Sequence, residues 1–262
     1  MNKNKINTFF WLICLPMFAL SFISCISDNQ GGAATPEPAP AAVNYSKTLL
    51  VIGDDRSGST NDIRKLTEDD YKDLFTAVSE KGGGAVAVGL IGNPQMQNRE
   101  PYLLTLKTLE NLQPYDPKDT HLTLSQKSKI KLENERRNAG NKKTLQANAG
   151  EISVFVDSVI LPNVINYRPS GIDHTNLDDA ISRINILVNE PGYQSYGRII
   201  VVFVSDGQNQ PGNGVRPIQS RLTHSKASVY LVGWETGTNC FGVQAIENFS
   251  NKEGLIDYIK NL

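Results

Sequence analysis

Two apolar runs without an internal polar residue constrain this chain most. Ile199-Ile200-Val201-Val202-Phe203-Val204 is continuous and rich in β-branched side chains, and Thr48-Leu49-Leu50-Val51-Ile52 resembles it near the other end of the sequence. A strand with one wet face alternates apolar and polar residues, whereas an unbroken run has to be covered on both faces. Both runs therefore read as inner strands of a parallel sheet with helices on either side.

The intervals between them carry the remaining elements. Tyr71, Leu74, Phe75 and Val78 recur at helical spacing and predict a helix near 66–80, ended by Gly82-Gly83-Gly84. Strands are expected at 47–53, 85–91, 102–109 (an edge), 198–205 and 228–233. A long helix is expected at 123–161, with Leu145, Ala149, Ile152, Val156 and Val159 on its buried face. Leu177, Ile181, Ile184 and Leu187 mark a helix over 175–188, and two short elements, 241–250 and 254–261, close the chain. Alternating strands and helices predict an α/β fold, a doubly wound and mostly parallel sheet flanked by helices.

The residues just past each inner strand carry the chemistry. The first run leads into Asp55-Arg56-Ser57-Gly58-Ser59, one carboxylate and two hydroxyls at alternate positions. The second leads into Ser205-Asp206-Gly207, and Thr175 sits at or near the start of the 175–188 helix. An all-oxygen donor set of this kind suits a hard cation, Mg2+ or Mn2+. Taken singly, Asp55 reads as a turn aspartate capping a helix and Thr175 as an N-cap; the joint pattern is what points to a metal.

Together these residues resemble the metal-ion-dependent adhesion site of the von Willebrand factor A domain family, written Asp-x-Ser-x-Ser, then a distant Thr, then a distant Asp. Asp55, Ser57, Ser59, Thr175 and Asp206 match it in order, and the resemblance covers 46–262. It implies a sheet in which the first strand lies beside the one carrying Asp206. It also implies a metal with an open position for an Asp or Glu of a protein partner. Arg56, Asp173, His174, Gln208 and Asn209 are then candidates for the ligand rim. Two positions depart from the family: Asp54, where an apolar residue is usual, and Thr60, where Met is common.

The N-terminus reads as an export signal. Lys3 and Lys5 precede an apolar stretch over 9–23, and Phe22-Ile23-Ser24-Cys25 resembles a lipobox, which makes Cys25 the expected lipidation site. A plain secretory signal or an uncleaved anchor is the alternative. Residues 1–24 form the signal and 25–45, with Pro36, Pro38 and Pro40, a flexible tether ahead of the 46–262 domain. Cys14 lies in the signal, so Cys240 is left without an intramolecular partner. The formal net charge of −1 gives no reason to expect nucleic acid. The basic residues Lys127, Lys129, Lys131, Arg136, Arg137, Lys142 and Lys143, interleaved with Glu133 and Glu135, read as a solvated helix face.

The expectation is a lipid-anchored, metal-dependent protein-binding module of the bacterial envelope, for adhesion or scaffolding, and not an enzyme. The alternative is a metal-dependent hydrolase or phosphoryl-transfer enzyme using the same acidic strand ends. The chain has no nucleophile elbow, phosphate loop or zinc-binding His pair to support it.

Overall fold

The two apolar runs become neighbours at the centre of a six-stranded sheet. A computed structural model describes residues 42–57, 65–92, 99–167, 174–212, 214–235 and 247–262, all within the compact unit Ala39–Leu262. The strands are β1 (Thr48–Asp55), β2 (Gly84–Ile91), β3 (Tyr102–Leu106), β4 (Arg198–Val204), β5 (Ala227–Val232) and β6 (Glu247–Phe249). Their order is β3-β2-β1-β4-β5-β6. Every pairing is parallel except β2 with β3, which is antiparallel and forms the expected edge. The α-helices are α1 (Glu68–Glu80), α2 (Leu124–Phe155), α3 (Leu177–Val188) and α4 (Lys252–Asn261). This is the doubly wound, mostly parallel architecture expected from the sequence.

Successive side chains on a strand point to opposite faces, and the core divides accordingly. Leu50, Ile52, Ile200 and Val202 pack with Tyr71 and Phe75 of α1, Phe155 of α2 and Leu255 of α4. Leu49, Val51, Val201 and Phe203 pack on the other side with Leu177, Ile181 and Ile184 of α3. All eight strand residues are at most 3 % exposed, and burying each contributes roughly 1.5–3 kcal/mol. A polar residue in either run would face a helix, which is why the runs are unbroken. Gly53 belongs to this packing: a Cβ there would lie 2.9 Å from Phe203 Cδ1.

Three expectations are corrected. β1 runs on to Asp55, so the first acidic residues belong to the strand end and not to a loop beyond it. β3 stops at Leu106, short of 109, because the chain then leaves the sheet for α2. The buried stripe of α2 consists of Asn141, Asn148, Ile152 and Phe155, while Ala149 is exposed and Leu145 half-buried. From Val156 to Ile165 the helix continues with π-helical turns, and Val156, Ile160 and Val164 extend the stripe. Of the closing elements, 241–246 lies outside the described residues.

The asparagines explain the shifted stripe. Asn134, Asn141 and Asn148 recur every seven residues, nearly two turns, and so share one face of α2. Each grips one backbone unit of the extended segment 107–113, its Oδ1 accepting the N–H and its Nδ2 donating to the C=O. Asn148 holds Lys107 at 3.0 and 2.9 Å, Asn141 holds Glu110 at 2.8 and 2.9 Å, and Asn134 holds Gln113 at 2.9 and 2.8 Å. Seven helical residues and three extended ones both span about 10 Å, so the two repeats stay in step. Asn148 also donates to Ser79 Oγ of α1 at 2.9 Å.

Replacing fully buried Asn148 by Ala strands a backbone N–H and C=O, and should cost roughly 2–4 kcal/mol in denaturant unfolding. Asn134→Ala, at the exposed end of the ladder, should cost below about 1 kcal/mol. Equal losses at the two positions would contradict this account of the ladder.

Candidate metal centre at the strand ends

β1 lies between β2 and β4, so the strand order reverses between β1 and β4, and crevices outside the carboxyl ends of such sheets open at that point. The register pairs Asp54 with Val204. The next residues along, Asp55 and Ser205, are therefore neighbours, and Ser205 Oγ donates to Asp55 Oδ2 at 2.8 Å. Asp206 follows immediately, with Oδ1 accepting the Gln208 N–H at 2.9 Å. Asp55 is 0 % and Asp206 2 % exposed.

Two more expected donors come to the same end of the sheet. The Ser57 N–H donates to Asp55 Oδ1 at 2.9 Å, curling the chain back over the strand end. Thr175, 5 % exposed, is held between two strand ends. Its carbonyl accepts the Gln210 N–H at 2.6 Å, and the next N–H, that of Asn176, donates to Gly92 O just past β2 at 3.3 Å. Asn176, not Thr175, caps α3, its side chain accepting from the Asp179 N–H. Thr175 is thus not spent on the capping role that a helix-start threonine usually takes. Ser59 and Asp173 lie outside the described residues.

The rim candidates separate. Arg56 turns away from the strand-end crevice: its side chain is only 7 % exposed, and its guanidinium bonds to Asp54 and to Leu66 O. Asn209 is 1 % exposed and works as a staple. Its Oδ1 accepts the Leu177 N–H at 3.0 Å and its Nδ2 donates to Asp178 Oδ2 at 2.8 Å. Asp178 Oδ1 in turn accepts the Gln219 and Ser220 N–H groups, each at 2.7 Å, so the start of α3 and the loop after β4 are fixed together. His174 and Gln208 are half-buried, and Gln208 Oε1 accepts from Gln210 Nε2 at 3.2 Å.

Burial pushes the Asp55 carboxyl up to about 6; its hydrogen bonds from Ser57 and Ser205 oppose that rise and the Asp206 charge adds to it. The groups acting most strongly on Asp55 are hydroxyls, an amide and a second carboxylate, with no cation among them. Two buried carboxylates with neutral hydroxyls beside them form a donor set that fits a hard divalent cation. Among the described residues no three His, Cys, Asp or Glu side chains gather into one cluster. A cation here would thus draw on hydroxyls as well as on Asp55 and Asp206.

Sequence reasoning missed Ser205, Asp178 and the Asp54 cluster. Ser205 depends on a register that no single segment reveals, and Asp178 resembles any first-turn acidic residue of a helix. No family model matches this sequence, and no curated protein matches it.

The raised Asp55 value has a definite consequence for the metal-free domain. Above about pH 6 the carboxylate is charged in both folded and unfolded chains and burial opposes folding in full; the penalty fades as pH falls toward 3.8, where the folded chain gains its proton first. Asp55→Asn should therefore stabilise the protein in chelator by roughly 3 kcal/mol at pH 7.5, with the gain vanishing toward pH 4. Thermal melting of both proteins across this range checks it. A variant no more stable than wild type at pH 7.5 would contradict the assigned burial.

Proposed function

We propose that this chain is a lipid-anchored, divalent-metal-dependent protein-binding module of the bacterial envelope, with a von Willebrand factor A type domain. One observation carries the reading: Asp55 and Asp206 are buried at the carboxyl ends of adjacent parallel strands, where the strand order reverses, with Ser57 and Thr175 at the same end. Buried like charges are costly unless compensated. A bound Mg2+ or Mn2+ would offset them and offer a Lewis-acidic position to an Asp or Glu of a partner. The chain's own residues set the geometry: Ser205 orients Asp55, and the Gln208 N–H orients Asp206. The Asn209 staple fixes the segment that carries Thr175.

β1 begins at Thr48 and ends at Asp55, eight residues or about 25 Å along a strand. Thr48 and Asp55 lie at opposite ends of this strand. Among the described residues no helix is long and apolar enough to cross a membrane; the anchoring segment and Cys25 lie outside them. Asp54 is 0 % exposed and engaged by Arg56 and Tyr71, so the phosphoryl-transfer alternative would have to rest on Asp55 and Asp206.

Two experiments test the two halves of this reading. Cys25→Ala should abolish palmitate labelling and shift the protein out of the membrane fraction; unchanged labelling removes the anchor. Envelope proteins should be retained by the wild type in Mg2+ and released by chelator, and Asp206→Ala should retain none although it melts no lower than wild type in chelator. Retention that persists in chelator and in this variant removes the metal-dependent mechanism.

A further inference from the structure

Asp54, which departs from the family pattern beside the candidate site, forms a cluster with Arg56 on the face away from Asp55. Strand alternation sends Asp54 to the α1 face of the sheet, with Leu50 and Ile52, and Asp55 to the other. On that face Asp54 Oδ2 receives Arg56 Nε at 3.0 Å and Nη2 at 2.5 Å, and the Tyr71 hydroxyl as well. Asp54 Oδ1 is buried and accepts no hydrogen bond among the described residues, and Arg56 supplies the counter-charge that keeps this carboxylate tolerable inside the fold. The same Nη2 donates to Leu66 O at 2.7 Å. Leu66 directly precedes Thr67, whose side chain caps α1 through the Asp70 N–H.

We infer that Arg56 is a positioning residue for the strand-end site: it clasps the chain at Asp54 and Leu66, and so fixes the turn that sets Ser57 over Asp55. The inference rests on the proposed reading of Asp55, Ser57 and Asp206 as metal donors. Arg56 follows Asp55 and precedes Ser57, and its side chain is drawn to the α1 face. The backbone between the two donors is thereby held in the conformation in which the Ser57 N–H reaches Asp55 Oδ1. The clasp also neutralises Asp54, so the strand end presents Asp55 and Asp206 to a cation and not three competing carboxylates.

Charge and geometry make opposite predictions for removing Arg56. Arg56→Gln adds a net negative charge near the site; by charge alone it tightens cation binding. The double variant Asp54→Asn with Arg56→Gln leaves net charge unchanged and no uncompensated buried carboxylate; by charge alone it binds as wild type does. Loss of positioning weakens both, by about tenfold to a hundredfold as for other residues that orient metal ligands. Arg56→Lys keeps the charge but not the fork and should recover part of the loss.

The test is Mn2+ binding by calorimetry on the full-length protein, wild type and these three variants, with circular dichroism to establish folding. Hydrogen exchange of the Ser57 amide in chelator is read in parallel. Weaker Mn2+ binding in the double variant, together with faster Ser57 exchange, supports the inference. Equal or tighter binding in the folded double variant overturns it. If the wild type binds no Mn2+, the metal reading fails and the exchange data decide the clasp alone: an unchanged Ser57 amide in the folded double variant removes it. Should Arg56→Gln fail to fold, the charge-neutral double variant carries the comparison.

Discussion

The parallel pairing of β1 with β4 is the constraint on which the rest depends. It brings together segments about 150 residues apart in the chain, and its register decides which atoms meet. With Asp54 opposite Val204, Asp55 falls beside Ser205 and Asp206 follows at the carboxyl edge. A slip of one residue would turn Asp55 to the face of α1 and put Asp54 where the crevice opens. The unbroken apolar runs are what prevent the slip, because each side chain is already matched to a helix on its own face. Packing thus selects the register, and the register places the carboxylates.

This arrangement separates two neighbouring aspartates by a simple alternation. Asp54 faces α1, where Arg56 and Tyr71 meet it, and its charge is compensated within the fold. Asp55 faces the other side, where burial and, to a lesser degree, Asp206 hold its carboxyl up near 6. The first is a structural charge; the second has no cation beside it and opposes folding when ionised. Proteins that keep such a charge at a strand end give up stability in the unliganded state, and the proposed cation is the group whose binding would restore it.

Much of the fold was legible because it rests on periodicity. The inner strands, α1, α3 and the edge position of β3 follow from apolar runs, helical spacing and glycine stops. At the candidate site, Asp55, Ser57, Thr175 and Asp206 stood out in the sequence because each sits where an element begins or ends. Two kinds of feature escaped. The stripe of the long helix was read in part: Ile152 and Val156 are buried as expected, but a count of apolar residues passes over Asn141 and Asn148, which are buried through backbone hydrogen bonds. Arg56 and Asn209 read as rim candidates because polar residues near a site look like ligand contacts until their partners are known. Those partners, Asp54, Leu66 and Asp178, become neighbours only through tertiary packing. The seven-residue recurrence of asparagines on α2 was the one signal in the sequence that pointed toward the ladder.

A crystal structure with Mn2+ tests most directly the cation proposed between the ends of the two strands. An anomalous difference peak is predicted at the carboxyl ends of β1 and β4, coordinated by Asp55 and Asp206 directly or through one water. The hydroxyls of Ser57 and Thr175 should lie toward it, with direct metal–oxygen distances of about 2.0–2.5 Å. At saturating Mn2+, the absence of a peak between Asp55 and Asp206, or a single peak elsewhere on the molecule, would contradict it.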